Sequence, residues 1–100
     1  MSLESITEKI RQKISMAHGI NASIKFDFGD DGIIFIDANQ IPATVTHDDN
    51  DADTTFSCSL DVFEKIVSGE QDPNIAFMMG KIKIRGNMGL ALKLNAILED

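Results

Sequence analysis

The sequence holds one cysteine, Cys58, so no intrachain disulfide can form and a stapled secreted scaffold is excluded. No apolar run approaches the ~20 residues that a membrane-spanning helix needs. Met1 to Gln12 carry Glu4 and Glu8 and lack the continuous apolar stretch of a secretory signal. A reducing, cytoplasmic setting is the expectation. Basic residues are scarce, 9 against 16 acids for a net charge of −7. That balance argues against nucleic acid as a partner, because such binding neutralises phosphates with Lys and Arg.

Metal and nucleophile signatures are missing too. There is no H-E-x-x-H and no C-x-x-C. Asp49, Asp51 and Asp53 imitate the opening of a calcium loop, but Thr54 stands where the sharp turn needs glycine and Leu60 where a bidentate glutamate should sit. The stretch His47 to Asp53 therefore reads as a solvated hairpin loop. Gly80-Lys81 lacks the glycine five positions earlier that a phosphate-binding loop requires, and Gly86-Asn87-Met88-Gly89 lacks the first glycine of a dinucleotide fingerprint. Cys58 alternates with Phe56 and so faces inward, where a thiol is inert, and nothing ties His18 or His47 to it. The reading is of a chain without catalysis, cofactor or metal.

What is present is periodicity. In 100 residues, enough for a single domain spanning 1–100, 43% are apolar and 25% charged, near the average of globular chains. Leu3, Ile6, Ile10, Ile14 and Ala17 make one helical stripe, predicting a helix from Ser2, a cap, to His18, with Gly19 as the stop. Ile20 to Phe28 alternates with Ile20, Ala22, Ile24, Phe26 and Phe28 on one face, which predicts a strand with one wet side. Turn chemistry at Gly29-Asp30-Asp31-Gly32 and at Asn39-Gln40 separates it from strands over Ile33–Ala38 and Ile41–Thr46. Pro42 puts the last of these at or near a sheet edge. Thr54–Cys58 is a fourth strand. Ser59 caps a helix ending at Gly69, Asp72-Pro73 opens a short helix through Phe77, Lys81–Arg85 is a fifth strand, and Asn87 caps a helix from Met88 to about Leu98. The order predicts an α+β fold, a mostly antiparallel five-stranded meander with helices over one face.

Three features ask for a use. The final helix is apolar around most of its circumference, with Lys93 and Asn95 its interior polar positions. Core packing, a partner chain and an apolar ligand are each consistent with it. Met78, Met79 and Met88 flank it, as core filler or as an adaptable wall. Lys81, Lys83, Arg85 and Lys93 make Pro73 to Leu98 basic, without a single acid, in an otherwise acidic chain. Either Lys81, Lys83 and Arg85 lie on a solvated sheet face, with Lys25, Asp27 and Asp37 as cross-strand neighbours, or they meet an anionic headgroup or membrane surface.

The run GKIKIRGNMGLALKL, Gly80 to Leu94, closely resembles the signature of the sterol carrier protein 2 family, the nonspecific lipid-transfer proteins. Asp72-Pro73 before Ala76-Phe77, and the helix from Leu60 to Gly69, also sit where that family has them. The resemblance implies a sterol-carrier-protein-like α+β fold with an apolar tunnel between the sheet and the helices. It implies non-enzymatic binding and intracellular transfer or presentation of fatty acids, fatty acyl-CoA, phospholipids or sterols. The implied lining is Met88, Leu90, Ala91 and Leu94 of the last helix, Phe77, Met78 and Met79 before the fifth strand, and Phe63, Ile66 and Val67. Gly86 and Gly89 would let the helix shift, and Lys81, Lys83, Arg85 or Lys93 would contact a headgroup. The sequence stops at Glu99-Asp100, short of the C-terminal extension and the Ser-Lys-Leu-like ending of animal members, so a stand-alone bacterial-type cytoplasmic member is the expectation. A monomer touching an anionic membrane transiently is favoured. The alternative is an interaction module whose apolar final helix is buried in a homodimer or against a partner enzyme.

Overall fold

Alternating burial builds the sheet first. In the computed structural model, which describes residues 3–15, 20–40 and 43–98, strands β1 (Ser23–Asp27) and β2 (Ile33–Asp37) each bury every second side chain. They pair antiparallel, Ile24 opposite Ile36 and Phe26 opposite Ile34, around a 3₁₀ turn at Gly29–Asp31. Strand β1 is shorter than its alternating run because Asn21 takes a left-handed φ of 49°. Asparagine tolerates that conformation, which breaks the extended stretch.

Strand β3 (Thr44–Thr46) lies at one edge, antiparallel to β2. Pro42 itself lies outside the described residues, as do Met16, the cap Ser2 and the helix end at Ala17, His18 and Gly19. The predicted meander breaks at the next strand. Strand β4 (Thr54–Ser57) pairs parallel with β1, not with β3, and the order is β3-β2-β1-β4. His47 to Asp53 is therefore a crossover strap and not a hairpin loop. Lys25 Nζ donates to Asp49 Oδ1 at 2.9 Å and ties the strap to β1. Thr54 and Phe56 come into register with Ile24 and Phe26, so buried rows meet buried rows.

The helices cover that buried face. Helix α1 (Leu3–Ser15) buries Ile6, Ile10 and Ile14, and helix α2 (Leu60–Val67) buries Phe63, Ile66 and Val67. Ser59 Oγ accepts the Val62 N–H at 3.1 Å and starts α2. Phe63 reaches the sheet, its ring centroid 5.0 Å from Phe26 and 5.2 Å from Phe28, while Phe56 stacks on Phe26 at 5.2 Å. These four rings anchor the helix layer to the sheet.

Helix α3 (Pro73–Met78) is capped by Asp72, whose carboxylate accepts the Asn74 and Ile75 N–H groups. Only Pro73 and Ala76, three residues apart on one face, are buried. Its end is a double turn: Gly80 N–H bonds Phe77 O at 3.1 Å and Lys81 N–H bonds Ala76 O at 2.9 Å, with Gly80 at φ +79°. Lys81 is thus part of a helix cap, and strand β5 begins later than its sequence suggests, at Lys83–Gly86. Strand β5 completes the sheet antiparallel to β4 at the far edge. Helix α4 (Met88–Leu98) follows, with the Asn87 side chain accepting the Leu90 N–H at 3.0 Å. It lays Leu90, Ala91 and Leu94 into the core. Among the described residues the result is a mixed sheet with three antiparallel pairings and one parallel, four α-helices and an α+β architecture.

Candidate functional site

The starts of three elements converge at one end of the sheet, and Asp53 joins them. Its carboxylate accepts the Ser23 N–H at 2.9 Å, its own N–H donates to Ser23 O at 3.0 Å, and its carbonyl accepts the Asn87 N–H at 3.0 Å. One residue of the acidic strap therefore fixes β1, β4 and the entry to α4. Gly86 lies against the same point. Its φ is +97°, and a Cβ there would stand 2.3 Å from Asp53 O and 3.1 Å from Thr54 Cα. No other residue type permits that approach of backbone to backbone. Thr54, fully buried, adds a bond from its hydroxyl to Arg85 O at 3.1 Å.

Beside this junction opens a cleft of about 570 Å³, lined by Ile20, Asn21, Ala22, Asp53, Asn87, Gly89, Leu90 and Lys93. Such a volume lies within the ~300–1,000 Å³ of small-molecule sites. Ile20, Ala22 and Leu90 supply apolar wall; Asn21, Asn87, Asp53 and Lys93 supply polar groups of both signs. Of the residues that the sequence resemblance implies, this cleft gathers Gly89, Leu90 and Lys93. Ala91 and Leu94 lie in the core beneath α4, together with Phe63, Ile66 and Val67 on α2. Phe77, Met78, Met79 and Met88 are on the surface, Met78 83% exposed and Met79 63%. They follow or flank helix ends whose buried faces are already used, so their side chains point away from the core. Lys81, Lys83 and Arg85 are exposed as well. Lys83 shares an outer-face row with Ser57 and Asp27, and Arg85 one with Thr55 and Lys25, whereas Asp37 lies three strands away.

Cys58 is half-buried, and burial pushes its thiol up to about 12, so the thiolate is suppressed at neutral pH. The Gln40 amide, with the Asn39 N–H behind it, hydrogen-bonds the Asp37 carboxylate and holds it below the ordinary carboxylate range. Among the described residues no cluster of His, Cys, Asp and Glu could hold a metal ion. No described helix is long and apolar enough to cross a membrane.

Residues 3–99 match the model of the SCP-2 sterol transfer family. The chain belongs to that family. It is 39% identical over 73 residues to the hydroxysteroid dehydrogenase-like protein 2 of Bos taurus, a match covering 71% of this chain and 18% of that one. The chain thus spans about a fifth of the length of that curated relative. Among solved structures it is similar to the apo sterol carrier protein 2 of Yarrowia lipolytica, at 26% identity and a TM-score of 0.70, over 94% of this chain and 77% of that one. It also shares the fold of a palmitated SCP2L2 from Aedes aegypti, at 22% identity and a TM-score of 0.74, over all of this chain and 96% of that one. The five-stranded mixed sheet and four α-helices of the described residues match the α+β fold of these sterol carrier protein 2 structures.

Sequence reasoning passed over Ile20, Asn21, Ala22, Asp53 and Asn87 as cleft residues. Asp53 was hidden in an acidic run that reads as solvated. Its signal is position, since it immediately precedes the buried strand start at Thr54.

Proposed function

We propose that this domain is a lipid carrier: it binds an apolar chain between α4 and the sheet, admits it through the cleft beside Gly89, Leu90 and Lys93, and transfers or presents it without chemistry of its own. Family membership supports lipid binding, and one observation carries the site. A cleft with an apolar wall, and with Lys93 and Asp53 among its polar groups, lies against the first turns of α4, whose inner face, Leu90, Ala91 and Leu94, belongs to the core. Fatty acids and fatty acyl-CoA are the ligands that suit it, the anionic end at Lys93 and the chain inward. Burying a C16 chain contributes gross about 12 kcal/mol at ~0.8 kcal/mol per CH₂. Loss of ligand freedom costs about 4 kcal/mol or more, which leaves micromolar binding. The carrier works as a cytoplasmic monomer that meets membranes briefly to load or deliver.

The test is uptake of a fluorescent fatty acid and its displacement by palmitate. We expect micromolar binding, weakened several-fold for Lys93→Glu with a carboxylate ligand and unchanged for the matching alcohol. No uptake at any concentration would remove the proposal.

A second reading draws on the outer face of α4, where Leu92 is 61% exposed and Met88 45%. There the helix packs in a homodimer or on a partner enzyme. A concentration-dependent dimer in sedimentation, abolished by Leu92→Glu, together with no lipid uptake, would favour it.

A further inference from the structure

The end of α3 and the strand after it form a surface that neither the core nor the cleft uses. Phe77, Met78 and Met79 project from the closing turn of α3 at 41%, 83% and 63% exposure, and Ile75, half-exposed, lies one turn back. Gly80 and Lys81 lock that turn by their bonds to Phe77 O and Ala76 O, so the apolar side chains are held out on a rigid corner. Basic residues follow at once. Lys81, Lys83 and Arg85 are exposed, and among the described residues no carboxylate forms an ion pair with any of them. Pro73 to Leu98 contains no acid, although the whole chain carries −7. Lysines on an edge strand also discourage edge-to-edge pairing. That role accounts for the charges on β5 but not for two methionines and a phenylalanine beside them.

We infer that this corner is a membrane-docking surface for anionic phospholipid: Phe77, Met78 and Met79 enter the headgroup–acyl boundary while Lys81, Lys83 and Arg85 meet lipid phosphates. Charge complementarity selects the occupant. Within a Debye length of ~8–10 Å the local positive field governs contact, and the acidic remainder of the domain, repelled, turns outward. Each basic residue near an anionic surface strengthens binding roughly five-fold, so three give a preference on the order of 100-fold over a zwitterionic surface. The methionines supply adaptable apolar contact without a fixed partner shape. The surface shares no lining residue with the cleft, but its use in loading or delivery rests on the carrier reading above.

The chain has no tryptophan, so a single one reports its own surroundings. Met78→Trp is placed on the corner and Gln40→Trp in the turn after β2, three strands from β5. Each is titrated, without any carried ligand, with vesicles of phosphatidylcholine alone or mixed with phosphatidylglycerol. We expect a blue shift for Met78→Trp with the anionic vesicles, reversed by salt, and none for Gln40→Trp. In cosedimentation with the same vesicles, Lys81→Gln/Lys83→Gln/Arg85→Gln should lose the anionic preference by at least about ten-fold. Lys9→Gln/Arg11→Gln/Lys65→Gln, with the same change in net charge, should keep it. Met78→Ser/Met79→Ser should bind more weakly to both kinds of vesicle. No shift on anionic vesicles, equal loss in both triple variants, or a concentration-dependent shift without vesicles, which would mean that a second copy covers the corner, would each overturn the inference. A protein that takes up fatty acid yet docks on no vesicle defeats this surface alone. One that docks yet takes up no lipid upholds the surface and defeats the carrier reading.

Discussion

Replacing Gly86 with alanine isolates the contact on which the cleft is built, because Gly80 provides a matched control. Both glycines have left-handed φ, +97° and +79°, but a Cβ at Gly80 meets nothing within 4 Å. At Gly80, alanine therefore costs the conformational penalty of about 1–2 kcal/mol alone, partly offset by a less flexible unfolded chain. At Gly86 the same penalty applies, and the methyl carbon lands 2.3 Å from Asp53 O and 3.1 Å from Thr54 Cα, both backbone atoms. Relief requires β5 to draw away from β4. That motion stretches the Asn87 N–H bond to Asp53 O (3.0 Å) and the Thr54 hydroxyl bond to Arg85 O (3.1 Å). Each is worth about 1 kcal/mol net, and more where a buried hydroxyl is left without a partner. The expected loss is about 4 kcal/mol for Gly86→Ala against about 1 kcal/mol for Gly80→Ala, out of the ~5–15 kcal/mol that holds a domain together. Urea titration followed by far-ultraviolet circular dichroism reads both. At a slope of ~2 kcal/mol/M the two midpoints should differ by about 1.5 M. Midpoints within about 0.3 M of each other would refute the claim that backbone crowding, and not backbone conformation, makes Gly86 indispensable.

Phe63→Ala removes the ring that bridges α2 to Phe26 and Phe28 and should cost about 3–5 kcal/mol in thermal or urea unfolding, whereas Phe77→Ala on the exposed corner should stay within about 0.5 kcal/mol of the parent. Cys58, its thiol pushed up to about 12 by burial, should resist an aromatic disulfide reagent in the folded protein at mildly alkaline pH and react fully in urea. Asp37 has a folded pKa below its ordinary 3.8, so the stability its carboxylate contributes is present above 3.8 and is lost as pH falls through the lower folded value. The margin of the parent over Asp37→Asn should accordingly shrink in acid, and a margin that grows there would contradict the hydrogen-bonding cause.

Much of this architecture is legible because its signals are local. Ser59, Asp72 and Asn87 cap the helices that their side chains announce, and the strict alternation of Ile24, Phe26 and Phe28 fixes which face of the sheet is dry. The parallel pairing of β4 with β1 is not local. His47 to Asp53 has the polarity of a hairpin turn, and nothing in its composition records that it spans two strands before Thr54 finds Ile24. The end of α3 misleads for a related reason. Lys81, Lys83 and Arg85 alternate as a strand would, but the bond from Lys81 N–H to Ala76 O claims the first of them for a helix cap. At the site, Gly89, Leu90 and Lys93 are visible in the motif because one helix carries them. Ile20, Ala22 and Asp53 reach the cleft only through pairings that bring positions far apart in sequence to one end of the sheet.

The apolar circumference of α4 acquires its meaning from this arrangement. Helix α4 packs Leu90, Ala91 and Leu94 on the core while Leu92 and Met88 face outward. Among the exposed residues described on α4, Lys93 is the charged one, whereas the exposed side of α1 carries Glu4, Glu8 and Arg11. In the proposed carrier the apolar residues of α4 would meet an acyl chain in place of part of the core. The cleft lies at its first turns, and Gly86, just before it, holds the backbone of Asp53 and Thr54 at a distance that no side chain allows. The rigid point is therefore next to the opening, and in the proposed carrier a lipid would displace the helix from its entry while the sheet beneath keeps its register.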